Sequence, residues 1–131
     1  MISAVIIDDE EHMRVNLIAI LDANINSVKV IGQGSSVASG TRIIQETNPD
    51  LVFLDINLHD GSGFNILEEL VPLNFKVIFV TAYSEFAIKA FRYNALDYIL
   101  KPINVTELNR AISKMKEPTT PFVTRKELHT I

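Results

Sequence analysis

Five short runs of β-branched and aromatic residues, Ala4-Ile7, Val28-Ile31, Leu51-Leu54, Val77-Val80 and Tyr98-Leu100, constrain the fold more than any other feature of the chain. Each run is continuous rather than alternating, which suits strands buried on both faces of a parallel sheet. Their starts lie roughly 20 to 26 positions apart, the room that a strand, a loop and a crossover helix need. Between the runs the period becomes helical. Met13, Leu17, Ile20 and Leu21 fall on one face of residues 10–23, and Phe64, Leu67, Leu70 and Val71 do the same in the third crossover. Asn104 is placed to cap a last helix whose inner stripe is Val105, Leu108, Ala111, Ile112 and Met115. Pro49 closes the second crossover helix, and Gly61 with Gly63 marks a tight loop before the third. Five βα units predict an α/β fold: a doubly wound, five-stranded parallel sheet with helices on both faces and right-handed crossovers.

Composition narrows the chemistry. With 131 residues and 47% hydrophobic side chains, the chain makes one domain with a real core. The absence of cysteine excludes a disulfide scaffold, a thiolate zinc site and a thiol nucleophile. A net charge of -4 provides no basic field for nucleic acid, so direct DNA binding is not expected. Met1 leads straight into an apolar stretch that ends in Asp8-Asp9-Glu10-Glu11, without the cationic start of a signal peptide. No apolar run approaches a membrane span. The expectation is a soluble, cytoplasmic protein with no membrane partner.

The acidic residues are not scattered. Asp8 and Asp9 follow the first strand, and Asp55 follows the third. In open α/β sheets, ligands bind beyond the carboxyl ends of the strands, where strand order switches direction. In the flavodoxin-like order 2-1-3-4-5 that point lies between strands one and three. Three carboxylates therefore meet, and two like charges about 4 Å apart repel by roughly 4 kcal/mol at an effective dielectric near 20. Such a cluster needs a cation or raised pKa values. Mg²⁺, a hard ion that takes carboxylate oxygens, is the natural partner. Lys101, which ends the fifth strand, adds an ammonium, and Thr81, which ends the fourth, adds a hydroxyl donor.

The segments Val5-Ile6-Ile7-Asp8-Asp9-Glu10, Asp50-Leu51-Val52-Phe53-Leu54-Asp55-Ile56, Val80-Thr81-Ala82 and Leu100-Lys101-Pro102 together resemble the receiver domain of bacterial two-component response regulators. The resemblance spans about residues 2 to 117. The stretch Ala90-Phe91-Arg92-Tyr93-Asn94-Ala95-Leu96-Asp97-Tyr98-Ile99-Leu100-Lys101-Pro102 further resembles receivers joined to a LytTR-type DNA-binding domain. The resemblance implies that Asp55 accepts a phosphoryl group from a sensor histidine kinase. It implies a Mg²⁺ site made by Asp8, Asp9, Asp55 and the backbone carbonyl of Asn57. Lys101 and Thr81 would assist the transfer. Thr81 and Tyr98 would form the switch, and Asn57 and Tyr83 at the pocket mouth would modulate loss of the phosphoryl group. A cis Lys101-Pro102 bond is also implied, as is homodimerisation through helix four, strand five and helix five. Such a domain is no enzyme beyond self-catalysed phosphotransfer and autodephosphorylation. His59 departs from the family, in which proline is frequent at its position.

The domain division expected is a receiver over residues 1–117 and a linker over 118–131, opened by Pro118-Thr119-Thr120-Pro121 and leading to a C-terminal output domain. DNA would be reached only through that output domain. The rival reading is a small Mg²⁺-dependent aspartyl phosphatase or phosphotransferase, which usually carries its nucleophile after the first strand and needs a covering cap. A flavodoxin-like cofactor carrier fits less well, because Asp8-Asp9-Glu10-Glu11 would repel a bound phosphate.

Overall fold

The computed structural model describes residues 1–116, so the proposed 118–131 linker lies outside the described residues. In chain order the elements are β1 (Ile2–Ile7), α1 (Glu11–Asn24), β2 (Val28–Gly34), α2 (Val37–Thr47), β3 (Leu51–Leu54) and α3 (Gly63–Leu70), followed by β4 (Lys76–Thr81), α4 (Ala87–Arg92), β5 (Asp97–Leu100) and α5 (Val105–Ser113). A single 3₁₀ turn, Lys114–Lys116, continues α5. The strands form one parallel sheet in the order β2-β1-β3-β4-β5, the doubly wound order expected.

The continuous apolar runs of β1, β3 and β4 reflect burial from both sides, whereas the run Tyr98-Leu100 lies on the edge strand β5, where only Ile99 is buried and Leu100 is 44% exposed. Val5, Ile7, Val52, Leu54 and Phe79 point to the face covered by α2, α3 and α4, where Ile44, Phe64, Ile66, Leu67 and Ala90 meet them. Ala4, Ile6, Phe53, Ile78, Val80 and Ile99 point to the other face, covered by Leu17 and Leu21 of α1 and by Leu108, Ala111 and Ile112 of α5. Parallel strands need both coats, because each successive side chain points to the opposite face.

Three expectations are corrected. β2 is an edge strand that alternates in burial, with Ile31 37% exposed, because α1 and α2 cover only part of it. It also runs three residues beyond the apolar run, to Gly34, where a Cβ would come within 2.9 Å of the Gly40 Cα. Val71 is not on the inner face of α3: the helix ends at Leu70 and Val71 is 46% exposed. Val105 lies on the first turn of α5, outside the packed stripe, and is 39% exposed.

The loop after β3 is more ordered than its glycines suggest. Asn57 pairs with Ser62 and Leu58 with Gly61 in a two-residue antiparallel ladder, and Gly61 adopts φ 152°, a conformation that L side chains rarely take. The Asp60 carboxylate at the tip accepts hydrogen bonds from the backbone N–H of Val37 (2.6 Å) and Ala38 (3.1 Å). Those N–H groups belong to the first turn of α2 and lack helical partners, so a carboxylate there also meets the positive end of the helix dipole. These bonds hold the Asp60 carboxyl below its ordinary value. Local caps fix the helix starts. Ser36 and Ser39 form a capping box for α2, Ser62 and Asn65 form one for α3, and Asn104 caps α5 by accepting from the Glu107 N–H.

Candidate functional site

The carboxyl ends of β1, β3, β4 and β5 deliver Asp8, Asp55, Thr81 and Lys101 to one end of the sheet. Register makes this inevitable: Ile7 lies beside Leu54, and Thr81 beside Leu100, so the residues that follow emerge together. Asp8, Asp9 and Asp55 each offer an oxygen within 4.8 Å of the others. Asp8 and Asp55 are buried, and Asp9 lies nearer the surface.

Lys101 ties the two buried acids together. Its Nζ donates to Asp8 Oδ2 at 2.7 Å and to Asp55 Oδ2 at 2.9 Å. The remaining oxygens are also engaged: Asp8 Oδ1 accepts from the Glu10 N–H at 3.0 Å, and Asp55 Oδ1 from the Ile56 N–H at 2.7 Å. Burial pushes the Asp8 carboxyl above its ordinary value, and the nearby Asp55 charge adds to this. The opposing pull of Lys101 and of the Glu10 N–H does not cancel it. Burial acts on Lys101 in the downward direction, but its bonds to Asp8 and Asp55 outweigh that and raise it. The Lys101–Pro102 bond is cis, as is Val71–Pro72.

The backbone under the pocket is tightly packed. The Asp55 N–H donates to the Ile7 carbonyl at 2.9 Å, which locks the end of β3 to β1. Gly63 opens α3 directly against this point, and a Cβ there would lie 2.3 Å from the Asp55 carbonyl oxygen. Its value is close approach, since no atom larger than hydrogen fits between α3 and β3.

The Thr81 side chain is fully buried, and its Oγ1 accepts from the Tyr83 N–H at 3.4 Å. Tyr98 stacks on Phe79 with ring centroids 5.9 Å apart, and its hydroxyl donates to the Tyr83 carbonyl. Burial raises the Tyr98 hydroxyl above its ordinary value, and the Glu85 and Asp55 charges act in the same direction. Tyr83 is 40% exposed at the mouth, where its hydroxyl accepts from the Asn57 amide at 3.4 Å. The segment Thr81-Tyr83 thus joins the pocket to Tyr98 through two hydrogen bonds.

The reading of the sequence missed two contributors. Arg14 Nη1 donates to the Asp8 carbonyl at 2.7 Å while Nε reaches the Gln33 side chain at 3.1 Å, so the arginine braces the acidic loop against β2. Its only signal is its place one turn into α1, off the apolar stripe. Asp60 gives no periodic signal, because its partners lie 22 and 23 residues away. Of the histidines, His12 faces Glu10 at 3.6 Å and His59 faces Asp9 at 3.9 Å, while His129 lies outside the described residues.

Three carboxylates in a partly buried pocket make an all-oxygen donor set, which fits a hard divalent ion such as Mg²⁺. One ammonium cannot neutralise three acids, so the site retains negative charge that a cation would balance. Among the described residues, no helix is long and apolar enough to cross a membrane.

Comparison with known proteins gives a consistent result. The family model of the response regulator receiver domain matches residues 4–113. An uncharacterised response regulatory protein of Vibrio parahaemolyticus is 37% identical over 132 residues, covering 100% of this chain and 54% of that protein. The transcriptional regulatory protein BtsR of Escherichia coli K12 is 34% identical, covering 89% of this chain and 49% of its own length. The sensory transduction protein LytT of Enterococcus faecalis is 39% identical, covering 83% and 46%. The chain thus spans about half the length of the curated relatives it matches. Among solved structures, the response regulator TrrA of Thermotoga maritima, determined in complex with Mg²⁺-BeF, has a TM-score of 0.76 at 26% identity, covering 88% of this chain and 99% of that one.

Proposed function

The chain belongs to the response-regulator receiver family, and we propose that it receives a phosphoryl group from a sensor histidine kinase on Asp55. The observation that carries this reading is the placement of Lys101, whose ammonium bridges Asp8 and Asp55 at 2.7 and 2.9 Å in a buried pocket. An Asp55 Oδ attacks phosphorus as the P–N bond of the donor phosphohistidine breaks, and the departing imidazole takes up a proton. Transfer of this kind demands positioning and charge stabilisation, with little covalent work for the protein. Asp8, Asp9, Asp55 and the Asn57 backbone carbonyl are the oxygens that would hold Mg²⁺, which when bound supplies neutralising charge for the phosphoryl oxygens. Lys101 exchanges its bond to Asp55 for one to a phosphoryl oxygen, and the Thr81 hydroxyl donates to another.

Movement of Thr81 then disturbs its bond with the Tyr83 N–H, and through Tyr83 the hydroxyl of Tyr98. This pair is the two-state element that the new charge biases. Asn57 and Tyr83 stand at the mouth, where they control access of water to the acyl phosphate. Ile88, Phe91, Leu100 and Val105 are 71%, 52%, 44% and 39% exposed on α4, β5 and α5, which supports this face as the homodimer contact of the phosphorylated form. The half-length coverage of the relatives supports a receiver over 1–117, a linker over 118–131 and an output domain, LytTR-like and DNA-binding, beyond it. The relatives are signalling regulators, which favours a phosphoacceptor over a phosphatase.

The test uses a small phosphodonor such as acetyl phosphate with Mg²⁺. One added phosphoryl group is expected by intact-mass spectrometry, none after chelation, and none in Asp55→Asn. Undiminished labelling of that variant refutes the assignment. Light scattering on the labelled sample reads the dimer, and an unchanged monomer mass at high concentration removes the proposed face from the mechanism.

A further inference from the structure

The first turn of α2 is capped from two places. Ser36 accepts from the Ser39 N–H at 3.0 Å, and the Gly40 N–H already enters the helix ladder through the Ser36 carbonyl at 2.8 Å. The N–H groups of Val37 and Ala38 remain, and both go to Asp60, 23 and 22 residues further along, at 2.6 and 3.1 Å. Ser36 and Ser39 form a complete capping box of their own, so α2 has a start signal without Asp60. The two bonds matter more to the loop that carries Asp60 than to the helix that donates them.

That loop brings Asn57 to the mouth of the pocket. Its base is closed by the Gly63 N–H, which donates to the Ile56 carbonyl at 2.7 Å, and above the base stand only two residue pairs, Asn57 with Ser62 and Leu58 with Gly61. A two-stranded ribbon is marginal in water without further support. Leu58 is buried beneath the turn, but Asn57, His59, Asp60 and Gly61 are exposed, so hydrogen bonds rather than packing shape the part above it. On the pocket side the Asn57 amide reaches the Tyr83 hydroxyl at 3.4 Å, a long bond that holds little by itself. On the other side a Cβ at Gly61 would lie 3.3 Å from Val37 Cγ2, so the tip rests close against α2, where Asp60 fastens it. Asn57 and Asp60 are three residues apart on one small turn, and fixing one restricts the other.

We propose that Asp60 is a positioning residue for the Asp55 site: by fastening the turn to α2 it holds Asn57 against Tyr83 and so lengthens the life of a phosphoryl group on Asp55. In the loss of that group, water attacks phosphorus as the bond from phosphorus to the Asp55 oxygen breaks. The products are the Asp55 carboxylate and dihydrogen phosphate, which keeps both protons of the water. Asn57 and Tyr83, hydrogen-bonded across the mouth, screen phosphorus from that water. Without Asp60 the turn frays, the long Asn57–Tyr83 bond opens, and water reaches phosphorus more often. This proposal rests on the reading of Asp55 as phosphoacceptor.

The experiment labels the purified chain with acetyl phosphate and Mg²⁺, removes the donor by desalting into Mg²⁺ buffer, and follows the decay of the phosphorylated mass. Asp60→Ala is expected to shorten the phosphoryl lifetime about 3-fold or more, the scale of one lost helix cap. Asp60→Asn, which keeps one acceptor oxygen, is expected to fall between that variant and the parent, and it serves where Asp60→Ala does not fold. Ser36→Ala is the control, because it removes a cap from the same helix turn and leaves the loop tethered. A chain that is only less stable is still almost wholly folded, so its lifetime is expected to match that of the parent. A lifetime in the Asp60 variants at or above the parent value, or equal shortening in Asp60→Ala and Ser36→Ala, overturns this proposal alone. A parent chain that takes up no phosphoryl group overturns the phosphoacceptor reading and this proposal with it.

Discussion

Replacing Lys101 with methionine keeps the unbranched stem of the side chain and deletes the ammonium that lies 2.7 Å from Asp8 and 2.9 Å from Asp55. The three side chains are only 12%, 8% and 7% exposed, so water cannot stand in for the lost charge. Removing one partner of a buried ion pair costs about 3–5 kcal/mol. Repulsion between carboxylates whose oxygens lie within 4.8 Å adds about 3.5 kcal/mol at an effective dielectric near 20. Protonation caps the loss. At about 1.36 kcal/mol per pH unit, neutralising a carboxyl of ordinary value 3.8 costs about 4.4 kcal/mol at pH 7. Asp8 is the group that yields, because burial already raises it. A raised acid stabilises the fold below its unfolded value of 3.8 and loses that contribution as pH rises through the folded value, so the variant gains stability on acidification.

The expected loss for Lys101→Met is therefore about 2–4 kcal/mol at pH 7 in chelator, falling to about 1 kcal/mol at pH 5, where protonation costs about 2.7 kcal/mol less. In the parent protein the raised Lys101 contributes fully below 10.5 and loses its contribution as pH climbs through the folded value, so the two proteins also converge in alkali. Urea unfolding followed by far-ultraviolet circular dichroism measures the gap, and added Mg²⁺ should narrow it at pH 7. A loss that is the same at pH 5 and pH 7, or smaller than about 0.5 kcal/mol at pH 7, refutes the reasoning, because the carboxylates would then not be sensing the ammonium.

Two other perturbations test the packing around the site. Gly63→Ala places a Cβ 2.3 Å from the Asp55 carbonyl, so α3 must back away from β3, at a cost of about 1–3 kcal/mol in the same unfolding assay; an unchanged midpoint would mean that the junction is looser than described. Tyr93 donates to Glu68, and burial followed by that carboxylate pushes its hydroxyl up to about 12. Its contribution is present below 10.0 and lost as pH rises to about 12, so absorbance at the phenolate band should show a tyrosine ionising at about 12 whose share of the late rise is missing in Tyr93→Phe, while that of the raised Tyr98 stays.

The sequence spoke most clearly where a residue's role depends on its own strand. Leu51-Leu54, predicted from an unbroken apolar run, is a strand with those bounds, and the residue that follows it is Asp55. Asp8, Thr81 and Lys101 could be placed at the same pocket because strand order converts four distant positions into neighbours. The extent of β2 was not legible, because Gly32, Gln33 and Gly34 have no strand propensity and are held by pairing with Val5, Ile6 and Ile7. Val105 fits the helical stripe by phase, but it is the first residue of α5 and stays 39% exposed, while Leu108, Ala111 and Ile112 are buried. Asp60 and Arg14 act on backbone groups of other elements, so no spacing along the chain announces them.

The charged partner of Asp55 is Lys101, 46 residues further along, which at the same time holds Asp8, 93 residues away from it. A nascent or unfolded chain therefore contains an aspartate of ordinary reactivity, with neither its cation nor its neighbouring acids. The arrangement around Asp55 is complete only when β5 lies in the sheet and brings Lys101 to it. On the proposed reading of Asp55 as phosphoacceptor, labelling of this residue therefore also reports that β1, β3 and β5 are assembled around it.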